Sequence, residues 1–232
     1  YAHHAAGRLT EAITLYEQLL PDNIRVLGED HPDTLNSRNN LAGAYYAAGR
    51  LTEAITLYEQ VLTNRIRVLG EDHPDTLASR SNLAYAHHAA GRLTEAITLY
   101  EQLLPDNIRV LGEDHPQTLT LRNNLAGAYY AAGRLEEAIT LCQQVLTNRI
   151  RVLGPDHPDT LASRNNLAYA YRAVGRLTEA ITLYEQVTKD CARILGEDHP
   201  LTKKVRENLK AARRELAQQE GDSRTEENDA QD

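Results

Sequence analysis

One interval governs this chain. The dipeptide His-Pro recurs at His31, His73, His115, His157 and His199, each step being 42 residues. Two glycine series keep the same step, Gly7, Gly49, Gly91, Gly133, Gly175 and Gly28, Gly70, Gly112, Gly154, Gly196, and together they hold ten of the thirteen glycines. A unit this short cannot enclose a core of its own. It hides its apolar face only against the units before and after it, so the chain must fold as a stack.

The stretch from Pro32 to Gly70 shows what is stacked. A helix opens at Pro32, where a missing N–H costs nothing, with Asp33 set against the positive end of the dipole. It closes at Gly49 with a left-handed cap. Leu35, Leu41, Ala42, Tyr45 and Ala48 recur at helical spacing and form one apolar stripe. A second helix begins near Thr52, whose hydroxyl is expected to cap it, and carries a wider apolar face through Ala54, Ile55, Leu57, Tyr58, Val61, Leu62, Ile66 and Leu69. The small Ala42 and Ala54 let paired helices approach closely. The fold class is therefore all-α, an array of antiparallel helix pairs with a period of 42 residues.

Residues 1–217 read as this array: a partial first repeat, three full repeats, a further helix pair and a capping helix over about 200–217. In the cap, Lys210 and Arg213 replace the apolar Ala42 and Tyr45 of inner units. Residues 218–232 are acidic, apolar-poor and expected to be disordered. A second, longer period is superposed, since Tyr1 to Leu35 matches Tyr85 to Leu119 with one change, Asp33 to Gln117. Pro21 and Pro105 fall inside second helices and are expected to kink them near Glu17 and Glu101. The chain contains no Met and begins within an amphipathic pattern, as a piece of a longer protein does, and an apolar stacking face is expected to lie uncovered at that end.

Charge and composition narrow the function. Most of the formal charge of −8 comes from the terminal acidic segment, which leaves the repeats almost neutral. No basic cluster exists to engage phosphate backbones, so nucleic acid is not an expected partner. No run of about 18 apolar residues and no signal segment is present, so neither is a membrane. Cys142 and Cys191 sit one repeat plus two turns apart, too far out of register for a disulfide, and two free thiols suit a reducing cytoplasm.

Turning the first helix by about 100° per residue places Asn36, Asn40, Gly43 and Ala47 opposite the apolar stripe, with Asn39 and Tyr46 at the edge. Repetition makes an asparagine ladder of Asn40, Asn82, Asn124, Asn166 and Asn208, flanked by Asn123 and Asn165. Tyr85, Tyr130, Tyr169, His88 and Arg172 share that face. Carboxamides match the donors and acceptors of an extended peptide backbone, and tyrosines bury apolar side chains at low entropic cost. This face is the candidate peptide-binding groove; the alternative is that the asparagines bond neighbouring helices. The Asp-His pairs of GEDHPDT occur on five separate turns, which suits helix capping better than one convergent catalytic site. The neighbours His3, His4 and His87, His88 diverge by about 100° and cannot jointly hold a metal. Arg38, Arg80, Arg122 and Arg164 read as inter-repeat ion pairs, with an acidic-peptide site as the alternative. Cys142 stands where Tyr16, Tyr58, Tyr100 and Tyr184 stand in other units and is expected to pack as a small hydrophobe. No catalytic, cofactor or metal constellation emerges.

The segments NNLAGAYYAAGRLTEAITLYEQVL (Asn39 to Leu62) and LGEDHPDTL (Leu69 to Leu77) resemble the 42-residue tetratricopeptide (TPR) repeats of kinesin light chains and their bacterial relatives. The resemblance covers about residues 1–209. It implies a right-handed superhelical solenoid whose first helices line a concave groove for extended peptides. It also implies a protein-binding rather than enzymatic role, as in the sensor part of bacterial signalling NTPases of the NB-ARC/STAND type. The chaperone-type carboxylate clamp is not matched, since its places hold Asn39, Gly43 and Ala47, then Ser81, Tyr85 and Ala89. An alternative role is a structural array assembling end to end through its uncovered amino-terminal face.

Overall fold

The computed structural model describes the backbone of residues 2–229 and the side chains of residues 8–221. Within them lie ten α-helices and no strand: α1 (Ala2–Leu27), α2 (Pro32–Ala47), α3 (Leu51–Leu69), α4 (Pro74–Ala89), α5 (Leu93–Leu111), α6 (Pro116–Ala131), α7 (Leu135–Leu153), α8 (Pro158–Ala173), α9 (Leu177–Leu195) and α10 (Pro200–Asp229). First helices of 16 residues alternate with second helices of 19. Short connections make each pair antiparallel.

The helix ends follow local chemistry. Each His-Pro histidine caps the helix it precedes: Nδ1 of His31, His73 and His157 accepts the amide of Asp33, Asp75 and Asp159 at 3.1–3.2 Å. His115 and His199 cap the amides of Gln117 and Leu201 in the same way. The repeated Asp-His pairs are thus helix caps. Second helices end at Gly70, Gly112, Gly154 and Gly196, with φ of 86° to 97° and ψ of 158° to 168°, a region essentially reserved for glycine. Thr52 does not cap α3. It lies inside that helix, and the N-cap is Arg50, whose Nε donates to Glu53 at 2.9 Å while its guanidinium covers the Tyr45 ring at 4.1 Å. Arg134 over Tyr129 and Arg176 over Tyr171 repeat the clasp.

Two elements differ from the sequence expectation. Gly7, one period before the helix-closing Gly49, closes no helix, and α1 runs unbroken from Ala2. A glycine inside a helix costs about 1 kcal/mol, but the few residues before it are too short to form a helix by themselves and gain hydrogen bonds by extending an existing one. At the other end α10 continues past Ala217 to Asp229. Its Glu, Gln, Ala and Arg residues are strong helix formers, and elongation adds one bond per residue. Residues 230–232 of the expected tail lie outside the described residues. Pro105 sits within an α5 that covers the same 19 residues as α3 and α7, so it does not end the helix.

The chain divides into two compact units, Tyr1–Asn124 and Leu125–Asp232. In the first, Ile13, Leu20, Leu41 and Ala44 join α1 to α2, and Ala42, Ala54, Ile55, Tyr58, Leu83 and Ala86 join α2, α3 and α4. Ala42 and Ala54 are fully buried, the close approach their size permits. In the second unit α8, α9 and α10 close around Leu161, Ala168, Ala180, Tyr184, Val187, Cys191, Val205 and Ala212, all fully buried. Both cysteines are free and buried, and burial pushes the Cys142 thiol up to about 11. Cys142 occupies the tyrosine slot as a small apolar side chain. On α10, Lys203, Lys204, Glu207, Lys210, Arg213 and Arg214 are exposed and make the outward face charged.

Candidate functional site

The polar face of the first helices is organised by a diagonal register. Asn82 Nδ2 donates to Asn39 Oδ1 at 3.2 Å, and Asn208 Nδ2 donates to Asn165 Oδ1 at 3.0 Å. Each rung joins residue n of one first helix to residue n+43 of the next. Side chains of a helix lean toward its N-terminus, so contacts between neighbouring helices need not pair residues one repeat apart. Asn39 and Asn165 are therefore engaged with neighbouring helices, as the alternative reading of the ladder has it. Asn40 is exposed, and Asn123, Asn124 and Asn166 are half-buried. A carboxamide has two donors and two lone pairs, so one rung leaves Asn82 with capacity to spare.

The tyrosines form pairs on this face. The Tyr46 and Tyr85 rings, from α2 and α4, lie 5.2 Å apart at a tilt of 33°. Tyr130 and Tyr169, from α6 and α8, repeat this at 5.0 Å, with hydroxyls bonded at 3.1 Å. Both spacings are those of favourable aromatic contacts. Desolvation, then the hydrogen bond to Tyr85, pushes the Tyr46 phenol up to about 12, so it stays a neutral donor. The Tyr130 phenol is raised chiefly by its bond to Tyr169.

His88 occupies the helical position of Tyr46 and Tyr130 one repeat on. It is half-buried, and burial lowers its pKa. Arg172 holds that position in α8 and donates through Nε to Glu215 of α10 at 2.8 Å, which raises the arginine and lowers the carboxyl. Tyr130, Tyr169, Arg172, Ala173 and Glu215 line an open cavity of about 210 Å³. Glu215 is the member missed from sequence. It lies 43 residues beyond Arg172, the same step as the asparagine rungs. The cavity presents two aromatic rings beside a paired guanidinium and carboxylate, an arrangement suited to an apolar or aromatic side chain flanked by polar backbone.

The repeated arginines are mostly paired. Arg80 meets Asp106 at 3.1 Å, Arg164 meets Asp190 at 2.9 Å and Arg122 meets Glu113 at 2.8 Å. Among the described residues there is no group of three or more His, Cys, Asp or Glu side chains able to hold a metal, and no helix is long and apolar enough to cross a membrane.

A family model for the tetratricopeptide repeat matches residues 1–66, 39–106, 117–190 and 160–220. The chain belongs to the tetratricopeptide repeat family. Its repeats are generally non-enzymatic modules for protein–protein interaction, and the chain shares that all-α, solenoid-type architecture. A Podosopora anserina protein assigned as a kinesin light chain, with nearly identical TPR-like repeats, is 39% identical over 81% of this chain and 89% of that one, with a TM-score of 0.71. A variant of it gives 0.73 over 81% and 88%. BtubC of P. vanneervenii shares the fold at a TM-score of 0.76 and 21% identity, over 90% of this chain and 84% of that one. No curated protein matches the chain.

Proposed function

We propose that the tyrosine-bearing face of the first helices binds an extended segment of another protein, and that the TPR array is the sensing or adaptor part of a larger signalling protein in the cytoplasm. One observation carries the reading. Tyr85 and Tyr169 are 44% and 40% exposed while packed at a tilt against a tyrosine of the neighbouring first helix, whereas Tyr100 and Tyr184 on second helices are completely buried. A tyrosine kept for packing alone would be hidden like the latter pair. Exposed rings set beside carboxamides are typical of protein-recognition surfaces. Peptides selected by display against the chain should lose at least tenfold in affinity in Tyr85→Ala and Tyr169→Ala variants whose melting temperatures stay within a few degrees of the parent. Undiminished binding by both variants rejects the reading.

A second reading, end-to-end self-association, is favoured by α1. Leu15 and Leu19 are 65% and 44% exposed, while Val61, Leu103, Val145 and Val187, which hold the position of Leu19 in the other second helices, are 0–1% exposed. The charged face of α10 is a poor seat for this stripe, so association through α1 would bring two α1 faces together. Light scattering against concentration decides: a dimer abolished by Leu15→Glu and Leu19→Glu supports it, and a strict monomer removes it.

A further inference from the structure

The helices that open on His-Pro carry an arginine at one fixed place, and all but one of these arginines find an acid. Arg80 meets Asp106 at 3.1 Å and Glu71 at 3.5 Å, Arg122 meets Glu113 at 2.8 Å, Arg164 meets Asp190 at 2.9 Å, and Arg206 pairs with Glu197. The acids come from two places: the second helix of the same repeat, 26 residues on, and the turn 9 residues before. Arg38 of α2 breaks the series. The second-helix place holds Asn64 instead of an aspartate, and Glu29 in the preceding turn makes no ion pair with it. Arg38 is 7% exposed, and its Nε is buried without a partner. Among the described residues its guanidinium has no hydrogen bond or ion pair at all. A buried cation left unpaired is one of the most costly arrangements in a fold, so its persistence calls for an anion.

The guanidinium is within reach. Its two Nη atoms have no partner, yet they are not sealed off as Nε is. Arg38 lines an open cavity of about 500 Å³ with Glu29, Glu59, Gln60, Thr63 and Asn64, all within the first unit. The half-buried Asn64 carboxamide is also without a hydrogen-bond partner, so two sets of unused N–H donors share one cavity. Other repeats show what this arginine binds. Asn64 holds the position of Asp106 and Asp190, whose carboxylates lie on Arg80 and Arg164. Exchange of aspartate for asparagine removes the charge and adds donors, which favours an incoming carboxylate. The acids lining the cavity do not forbid one. Asp106 shares Arg80 with Glu71, and Glu101 stands in that repeat where Glu59 stands here. A volume within the range of about 300–1,000 Å³ typical of ligand sites admits a side chain with part of its backbone. Arg38 precedes Asn40 by two residues, about 200° around the helix, so the cavity lies away from the proposed binding face.

We infer that this cavity receives the carboxylate of an aspartate or glutamate side chain presented by another protein, with the Arg38 Nη atoms and Asn64 Nδ2 as its donors. Glu29 is the internal competitor for the guanidinium, as Glu113 is its partner at Arg122. The contact goes beyond the tyrosine-bearing face and does not depend on it. The isotope-labelled full chain is titrated with N-acetyl-aspartate amide, whose only charge is the side-chain carboxylate, following the Arg38 Nε–H and Asn64 side-chain amide signals. Saturable shifts are expected, about tenfold weaker with the neutral N-acetyl-asparagine amide and lost in Arg38→Gln. Removing the competitor in Glu29→Gln should tighten binding about threefold. Asn64→Asp restores the pair present at Arg80 and Arg164; this variant should melt no lower than the parent and no longer respond. Equal response to the two amides, weaker binding in Glu29→Gln, or a response that survives in Asn64→Asp overturns the assignment. So does inorganic phosphate that binds more tightly than the aspartate amide, which would make the cavity a phosphate site. Failure of the tyrosine-bearing face shows separately, as Tyr85→Ala and Tyr169→Ala variants that hold display-selected peptides at full affinity.

Discussion

Leu19 and Leu103 are the same residue at the same place in the repeat, and their environments differ completely. Leu103 is 0% exposed in α5, and Leu19 is 44% exposed in α1. Truncation to alanine removes three carbon groups, worth about 0.8 kcal/mol each when fully buried, hence about 2.4 kcal/mol at Leu103 before any cavity is counted. The unfilled space adds about 24 cal/mol per Å³, which brings Leu103→Ala to about 3 kcal/mol. At Leu19, with roughly half the transfer term and no closed cavity, the loss is about 1 kcal/mol. For a urea slope of about 2 kcal/mol/M the midpoints of the two variants should differ by about 1 M. Circular dichroism at 222 nm against urea measures both, with the slope checked for loss of cooperativity, which repeat arrays are prone to. Equal midpoint shifts for the two variants would refute the stacking account, because they would mean that the first helix of each pair contributes nothing to burying this position.

Three further outcomes are expected. Burial, then the charge of Arg92, holds the His87 imidazole below its ordinary 6.5, although Glu59 and Glu95 oppose this. The unfolded chain therefore takes up the proton first: stability is complete above about pH 6.5 and declines as pH falls toward the lower folded value. His87→Tyr restores the residue found at Tyr45, Tyr129 and Tyr171 and should raise the melting temperature and flatten part of the decline, His88 supplying the rest. Asn82→Ala breaks the rung to Asn39 and should cost about 0.5–1.5 kcal/mol in denaturant melts; a loss near zero would mean that the rung does not hold the helices. Cys142 and Cys191 are buried with raised pKa values, so a thiol reagent at pH 8 should react at the rate of unfolding rather than of reagent collision, and rapid modification of native protein would contradict the packing.

Repeated residues carried most of what was readable in advance. Helix pairs, glycine turns, the histidine caps, the buried Ala42 and Ala54 and the packing role of Cys142 all follow from propensity and period, which act over a few residues and leave the same mark in every copy. The candidate site was legible in part. Tyr46 with Tyr85, and Tyr130 with Tyr169, lie on the face that helical geometry assigns them, but the rungs Asn39–Asn82 and Asn165–Asn208 run diagonally, and Glu215 joins Arg172 by the same diagonal. Thr52 as a cap failed because the Arg50–Tyr45 clasp starts the helix earlier.

The sequence by itself determined the brick: where each helix starts and stops, which stripe is apolar, and that bricks must be stacked to hide it. Only tertiary structure decided which residues of adjacent bricks meet, since the 43-residue step comes from the lean of side chains and the offset of packed helices, which no single helix encodes. Packing also decided which identical residues differ in worth. Leu19 and Leu103 share a letter and a position, as do Asn23 and Asn107, yet Ser37 accepts from Asn23 while Asn107 is buried with Leu121 at the equivalent place.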